Sequence, residues 1–175
     1  PPQSLLQRLQ DASSSAFQLL QSGRRDAPQR QQTLRAAIAW SYQLLNPQEQ
    51  RLFRHLAIFW GGCTLEAVEQ INAFVEQTGV KPEQLPVLEV LASLVNKSLV
   101  QQVVQPNGEP RFLLLETLRE YALAELHTSG EQPALARGHA EFFIRFAAAA
   151  ENGLLGADHL LWVARLNADH DNCRA

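Results

Sequence analysis

The chain has 175 residues, of which 46% are hydrophobic and 19% are charged, and its formal net charge is −3. This composition is that of a globular protein and excludes a disordered chain. The slight acidity excludes a global basic field that would draw the whole chain to nucleic acid. Cys63 and Cys173 lie far apart, which excludes a disulfide framework and favours a reducing, cytoplasmic setting. No apolar run reaches membrane-spanning length, so we expect no membrane partner.

The first quarter of the chain carries a short helical pattern, then a connector and then a longer helix. Residues 1–32 carry a short helical pattern and then the polar stretch "GRRDAPQRQQ", which is typical of a connector. Over residues 33–45, Leu34, Ile38 and Tyr42 share a face at helical spacing. The chain opens on two prolines and stops inside a predicted helix, so we expect it to be a fragment of a longer protein.

Three further helices are predicted over residues 48–59, 64–75 and 84–96. Asn46 suits the N-cap of the first, and Glu49 stands three residues later, as a capping box requires. Proline between them suits the first helical position. The apolar residues expected to face inward in the second and third helices are Leu65, Val68 and Ile71, then Leu88, Leu91 and Val95.

The hydrophobic period then changes from helical to strand-like over residues 99–115. The runs "SLVQQVV" and "RFLLLE" flank Asn107-Gly108, the strongest short signal for a β-hairpin. Three helices followed by a hairpin is the order of a winged helix. We therefore predict a mostly α fold: a helix-turn-helix with a two-stranded β wing, flanked by additional helices.

The second strand leads directly into another helix, predicted over residues 117–127. Thr117 and Glu120 have the spacing of a capping box, so the strand needs no loop before the helix. The stripe expected to be buried is Leu118, Tyr121, Ala122 and Leu126. Two more helical stretches follow, "ALARGHAEFFIRFAAAA" and "DHLLWVARLNADHDN".

Three long stretches closely resemble the winged-helix region of bacterial STAND-type signalling ATPases and transcriptional regulators. They are "TLRAAIAWSYQLLNPQEQRLFRHLAIFWGGCTLEAVEQI", "LEVLASLVNKSLVQ" and "RFLLLETLREYALAEL". The resemblance implies three parts: residues 1–32 end a preceding helical domain, residues 33–128 form the winged helix, and residues 129–175 are a helical linker toward tetratricopeptide-type repeats.

The same resemblance implies a regulatory, non-catalytic role. In such proteins the module follows a P-loop ATPase, closes over bound ADP and holds the molecule in its resting state. Its partners would be its own upstream ATPase domain and the downstream helical repeats, and ATP or ADP would bind elsewhere in the full-length protein. The chain contains no G-x-x-x-x-G-K-[ST] loop, so we expect no cofactor and no ATP hydrolysis in this fragment.

The junction between wing and helix is the family's nucleotide-sensor position, usually Met-His-Asp. The matching residues are Leu114, Leu115 and Glu116, a degenerate version in which the apolar and acidic roles are kept. Leu115 stands where histidine would contact phosphate, and leucine has no donor. Alternation along the strand from Arg111 predicts that Leu115 points toward the apolar interior or an ATPase-facing groove.

The alternative is a DNA-binding winged helix, whose recognition helix should present cations or amides to DNA. The candidate helix "EQLPVLEVLASLVNK" offers Glu83, Glu89 and a single terminal Lys97, and the wing carries Arg111 alone. Direct DNA binding is therefore not the leading expectation. An enzyme is a further alternative, but no set of nucleophile, base and orienting residue is present.

Other side chains with chemical potential have simpler interpretations. Residues 169–171 (Asp-His-Asp) could suggest a metal site, but adjacent helical residues diverge, so we expect a polar surface there. Cys63 follows two glycines and is expected to be a small half-buried residue. Trp40, Trp60 and Trp162 are expected to anchor the core or an interface.

Overall fold

The computed structural model describes residues 29–78, 85–105 and 108–175. The elements in chain order are α1 (Gln29–Gln43), α2 (Pro47–Leu56), α3 (Leu65–Gln77), α4 (Val87–Asn96), β1 (Gln101–Val104), β2 (Pro110–Leu113), α5 (Glu116–Ser129), α6 (Gln132–Leu154), α7 (His159–Ala168) and α8 (His170–Arg174). The predicted pattern before residue 29, Glu83 and Asn107 lie outside the described residues.

The chain divides into two units, Pro1–Leu44 and Leu45–Ala175. The described element of the first unit is α1, which confirms the predicted helix and begins four residues earlier than expected. Leu34, on the predicted apolar face of this helix, is 47% exposed. Trp40 is 59% exposed, which excludes a role in the core.

The second unit is built on α2, α3 and α4, which confirm the three predicted helices. The predicted capping box at the start of α2 is present: the Glu49 amide donates to Asn46 Oδ1, and the Asn46 amide donates to Glu49 Oε2, both at 2.9 Å. Thr64 caps α3 by accepting from the Ala67 amide at 3.2 Å. These caps satisfy amides that the first turn of a helix leaves without partners.

Leucine, isoleucine, valine and phenylalanine side chains from all three helices meet in one core. Those that are at most 1% exposed include Leu52, Phe53, Val68, Ile71, Leu91 and Leu94. Each such side chain contributes about 1.5–3 kcal/mol by burial. Leu88 is 58% exposed, so its predicted inward position is wrong; the inward face of α4 is formed by Val87, Val90, Leu91 and Leu94.

The wing is the antiparallel hairpin of β1 and β2, as predicted. Gly108 adopts the left-handed conformation, with φ of 83°, in the turn. The segment after α2 adds a short third pairing, because Cys63 and Phe112 exchange two backbone hydrogen bonds of 2.9 Å. Gly62 permits this approach: a Cβ atom there would lie 2.5 Å from the carbonyl oxygen of Phe112. The fold class is therefore confirmed, a winged helix flanked by additional helices.

The junction after the wing differs from the prediction in detail. Helix α5 begins at Glu116 with Leu115 as its N-cap, and no side chain caps it. The predicted capping box of Thr117 and Glu120 is therefore wrong, since Thr117 already lies within the helix. The predicted stripe is confirmed: Leu118, Tyr121, Ala122 and Leu126 are all buried.

The last three helices pack on one side of this winged helix. Helix α6 runs along α3, and a Cβ atom at Gly138 would lie 2.9 Å from the Phe74 ring, so glycine permits close contact of the two helices. Helices α7 and α8 pack on α6 and confirm the last predicted helical stretch, with a break at Asp169. A membrane-spanning helix needs about 20 apolar residues, and no helix in the described part of the chain provides one.

Candidate functional site

Helix α4 is the third helix of the winged helix and the candidate recognition helix. Leu88 and Glu89 face solvent on it. Lys97, directly after the helix, lies 2.6 and 2.7 Å from the two carboxylate oxygens of Glu49, and Ser93 also donates to that carboxylate. Burial alone would raise the pKa of Glu49, but the donations from Lys97 and Ser93 hold it below its usual value. The cation of this helix is therefore paired with Glu49, although its side chain is 44% exposed.

The other described cations of the winged helix are engaged in the same way. Within residues 45–78, 85–105 and 108–127, every arginine and lysine lies beside a carboxylate. The closest pairs are Arg51–Glu131 at 3.7 Å, Arg54–Glu131 at 2.7 Å, Lys97–Glu49 at 2.6 Å, Arg111–Asp169 at 2.9 Å and Arg119–Glu116 at 2.9 Å. A phosphate group would have to compete with these carboxylates for each cation.

A buried ionic cluster forms where α5 meets α6. Glu131, the N-cap of α6, is 1% exposed and contacts Arg51, Arg54 and the ring of His55. His55 in turn shares a hydrogen bond of 2.6 Å with Asn72. Burial alone would raise the pKa of Glu131, but the neighbouring His55 ring and the hydrogen-bonded Arg54 guanidinium hold it well below its usual value. No motif or local spacing in the sequence predicts this cluster.

Arg111 in β2, which the sequence suggested as the cation of the wing, is 3% exposed. Its Nε donates to the carbonyl oxygen of Gly61 at 2.8 Å. Its Nη2 donates to the carbonyl oxygen of Gly62 and to Asp169 Oδ1, both at 2.9 Å. Asp169 is 6% exposed, so the expectation that residues 169–171 form a polar surface is wrong for Asp169.

Two further contacts join the C-terminal helices to the wing region. The Trp60 amide donates to Asn172 Oδ1 at 2.7 Å, and Asn172 Nδ2 donates to the Gly62 carbonyl and to Asp169 Oδ1 at 2.9 Å. Arg165 Nη2 lies 2.5 Å from Glu109 Oε1, beside the hairpin turn, and this hydrogen bond raises the pKa of Arg165. The wing is therefore held by side chains that lie more than 50 residues away in sequence.

The predicted nucleotide-sensor residues lie at the junction of β2 and α5. Leu114 is half-buried and, with Glu116, lines a cavity of about 140 Å³. Leu115 is 51% exposed, so the prediction that it points into an apolar interior is wrong. The physical reason is that β2 ends at Leu113, and the alternation of a strand does not continue through the N-cap of a helix.

Arg119 is the cation of this cavity. Its Nη2 lies 2.9 Å from Glu116 Oε1, and its guanidinium stacks 3.8 Å from the centre of the Trp60 ring. The hydrogen bond from Arg119 lowers the pKa of Glu116. Any anion in this cavity would meet Arg119, in competition with Glu116, whereas Leu115 offers no donor.

Cys63 is more deeply buried than predicted, and Trp162 is half-buried. Cys63 is 1% exposed instead of half-buried, and its thiol donates to the Phe112 carbonyl at 3.6 Å. Burial raises the pKa of this thiol, which makes it a poor nucleophile. Trp162 is half-buried and lies 5.7 Å from the Phe146 ring. Within the described residues, no group of histidine, cysteine and acidic side chains could hold a metal ion.

Comparison with known proteins supports the fold and adds a functional context. Residues 45–127 match the family model described as "Winged helix-turn-helix domain". The chain is 44% identical over 165 residues to "Putative HTH-type transcriptional regulator Rv0890c" of Mycobacterium tuberculosis (strain ATCC 25618 / H37Rv) and to its Mycobacterium bovis counterpart Mb0914c. These alignments cover 94% of this chain but only 18% of each relative.

A second relative carries no functional name. "Uncharacterized protein Rv0894" of Mycobacterium tuberculosis is 36% identical over 120 residues, which cover 68% of this chain and 29% of that protein. No solved structure matches the chain. The chain thus spans less than a third of the curated relatives named here, and their names describe proteins much longer than this winged helix.

Proposed function

We propose that this chain supplies the winged helix-turn-helix module of a transcriptional regulator, and that the module contacts duplex DNA. The family match and the names of the 44% identical relatives support this proposal. They support it better than they support docking on an ATPase, because neither the family description nor those names mention an ATPase.

The observation that carries the DNA proposal is a set of exposed amide side chains. Asn96 at the end of α4, and Gln101 and Gln102 on β1, all face solvent. Asparagine and glutamine amides can form paired hydrogen bonds with the edge of adenine. Since the cations nearby are engaged with carboxylates, we expect weak phosphate binding and a shallow dependence on salt.

Fluorescence anisotropy with a labelled duplex at low salt tests this proposal. We expect saturable binding, with a slope of log affinity against log salt of about −1 to −2, which corresponds to one or two phosphate contacts. Asn96→Ala and Gln101→Ala should weaken binding, whereas Gln77→Ala, at an exposed site on α3, should not. Failure to bind any duplex at low salt would refute the proposal.

The second candidate function is intramolecular docking on another domain of the longer protein. The specific observation in its favour is the exposed apolar surface of the winged helix: Leu88, Val104 and Leu115 are 58%, 72% and 51% exposed. In this proposal the module is non-catalytic and regulatory. It packs on an upstream STAND-type ATPase that binds ATP or ADP, and helical repeats downstream of residue 175 move it on activation.

The sensor residues Leu114, Leu115 and Glu116 belong to this second proposal, as the edge of the docking surface nearest to the nucleotide. Leu88→Glu in the full-length protein tests it, because a charge on an apolar docking surface should weaken the resting state and speed the release of ADP. Glu89→Gln is the matched control on the same helix. If Leu88→Glu leaves ADP release unchanged, α4 is not a docking surface.

A further inference from the structure

Three polar side chains of the C-terminal helices contact the wing or the turn that precedes it. We call Arg165, Asp169 and Asn172 the latch. They are spaced by four and three residues, which places them along one face of a helical segment. Arg165 binds Glu109 beside the hairpin turn, Asp169 binds Arg111 in β2, and Asn172 bonds to the backbone before the wing.

The latch holds the wing by polar contacts beside a cavity. A cavity of about 210 Å³ lies between the wing, α3, α6 and α7, and Arg111, Arg165 and Asp169 all line it. Arg111 is not fully satisfied in this position, because its buried Nη1 has no hydrogen-bond partner. A buried polar atom without a partner carries a free-energy cost. Helix α7 has no buried residue and the buried residue of α8 is the polar Asn172, so displacement of the two helices would leave the apolar core in place.

We propose that the latch is an autoinhibitory contact on the wing. While it is closed, β2 is fixed and Arg111 is paired with Asp169. When α7 and α8 move away, the wing is released and Arg111 becomes available to a phosphate of duplex DNA, an effect that rests on the DNA contact proposed above. The C-terminal helices thereby couple whatever follows them in the longer protein to the position of the wing.

Hydrogen exchange of the full chain, read by mass spectrometry, tests whether the latch restrains the wing. Asp169→Asn removes the charge that faces Arg111. Asp171→Asn is the matched control. It removes a negative charge two residues from Asp169, on an exposed side chain that pairs with His170 and not with Arg111. We expect amides in β1 and β2 to exchange about tenfold faster in Asp169→Asn, as for a local opening. They should not change in Asp171→Asn.

Amides of α4 separate a released wing from a destabilised domain. If exchange in α4 rises as much as exchange in the wing, Asp169 supports global stability and the latch is refuted. Glu109→Gln removes the charge on the wing that pairs with Arg165 of the latch, and its side chain is 33% exposed. This variant tests the latch if Asp169→Asn does not fold. An unchanged wing in both variants also overturns the proposal.

The same variants in the low-salt anisotropy assay separate this inference from the proposed function. If the wild-type chain binds duplex DNA, Asp169→Asn should bind several-fold more tightly than Asp171→Asn, although both lose one negative charge. Equal affinities would overturn autoinhibition and leave the DNA proposal standing. If the wing loosens in Asp169→Asn but no variant binds DNA, the latch is supported as a restraint and the DNA proposal fails.

Discussion

Replacing Glu131 with glutamine should destabilise the chain strongly. Glu131 is 1% exposed, with Oε2 2.7 Å from Arg54 Nη2 and 3.7 Å from His55 Nε2, and Oε1 3.7 Å from Arg51 Nε. Glutamine keeps the shape and one acceptor but removes the charge between two buried guanidinium groups. Removing one partner of a buried ion pair costs about 3–5 kcal/mol. We expect about 3 kcal/mol for Glu131→Gln, because the side-chain oxygen can still accept a hydrogen bond.

Urea unfolding followed by circular dichroism measures this change. Glu120→Gln is the control, since it is the same substitution at an exposed position of α5, and it should change the free energy of unfolding by no more than about 0.5 kcal/mol. A loss below about 1 kcal/mol for Glu131→Gln would refute the reasoning, because it would be within the range of an ordinary neutral hydrogen bond.

The dependence on pH gives an independent check of the same cause. The pKa of Glu131 is held below its usual value in the folded chain. Its contribution to stability is therefore complete above the unfolded value, about 4.3, and is lost as the pH falls through the folded value. The difference between wild type and Glu131→Gln should shrink as the pH falls below about 4. A difference that stays constant from neutral to acidic pH would show that charge is not the cause.

Three further predictions, which use five substitutions, test the fold by urea unfolding or thermal melts. An alanine in the left-handed conformation costs roughly 1–2 kcal/mol of stability. Gly61→Ala should cost only that amount, since nothing lies within 4 Å of its Cβ, whereas Gly62→Ala should cost well over it, because its Cβ would meet the backbone. Equal losses of stability would contradict this reasoning. Leu115→His should melt near the wild-type temperature, while buried Leu118→Ala should lose about 2–5 kcal/mol. Asn46→Ala should lose about 0.5–2 kcal/mol with its cap, and an unchanged melt would contradict that.

Local sequence patterns predicted the elements of the winged helix well. Helical spacing located α2, α3 and α5, and the change of period located the wing. These signals are local: the Asn46 cap is formed by a residue three positions away, and the buried stripe from Leu118 to Leu126 repeats along a single helix. Such patterns depend on backbone geometry within a few residues, which the sequence displays directly.

The sequence did not predict where elements meet or which charges pair. Leu115 was predicted to point toward the interior or an ATPase-facing groove because alternation was extended past Leu113, where β2 ends. Arg111 pairs with Asp169 at a separation of 58 residues, and Arg54 pairs with Glu131 at a separation of 77. The burial of both arginines is a property of the tertiary fold, and no local pattern in the sequence predicts it.

These long-range pairs bear on the boundary that the sequence suggested between residues 128 and 129. Arg51 and Arg54 belong to α2, and Arg111 belongs to the wing, but their closest carboxylates, Glu131 and Asp169, both come after that boundary. The winged helix therefore depends on the following helical segment for the closest partners of three buried cations, although Arg51 also lies 4.0 Å from Glu76. A winged helix cut at residue 128 would lose those closest partners and the helix that packs along α3.

We accordingly predict that residues 1–128 alone are much less stable than residues 1–175. Removing the partner of a cation that stays buried costs about 3–5 kcal/mol, the cost is smaller where the cut exposes the cation to water, and a domain has only about 5–15 kcal/mol in total. Thermal melts of the two chains measure the difference, and equal melting temperatures would contradict the prediction. Replacing Arg51, Arg54 and Arg111 with methionine in the short chain identifies the cause. Partial recovery of stability would point to the unpaired charges, whereas no recovery would point instead to apolar surface that α6 normally covers.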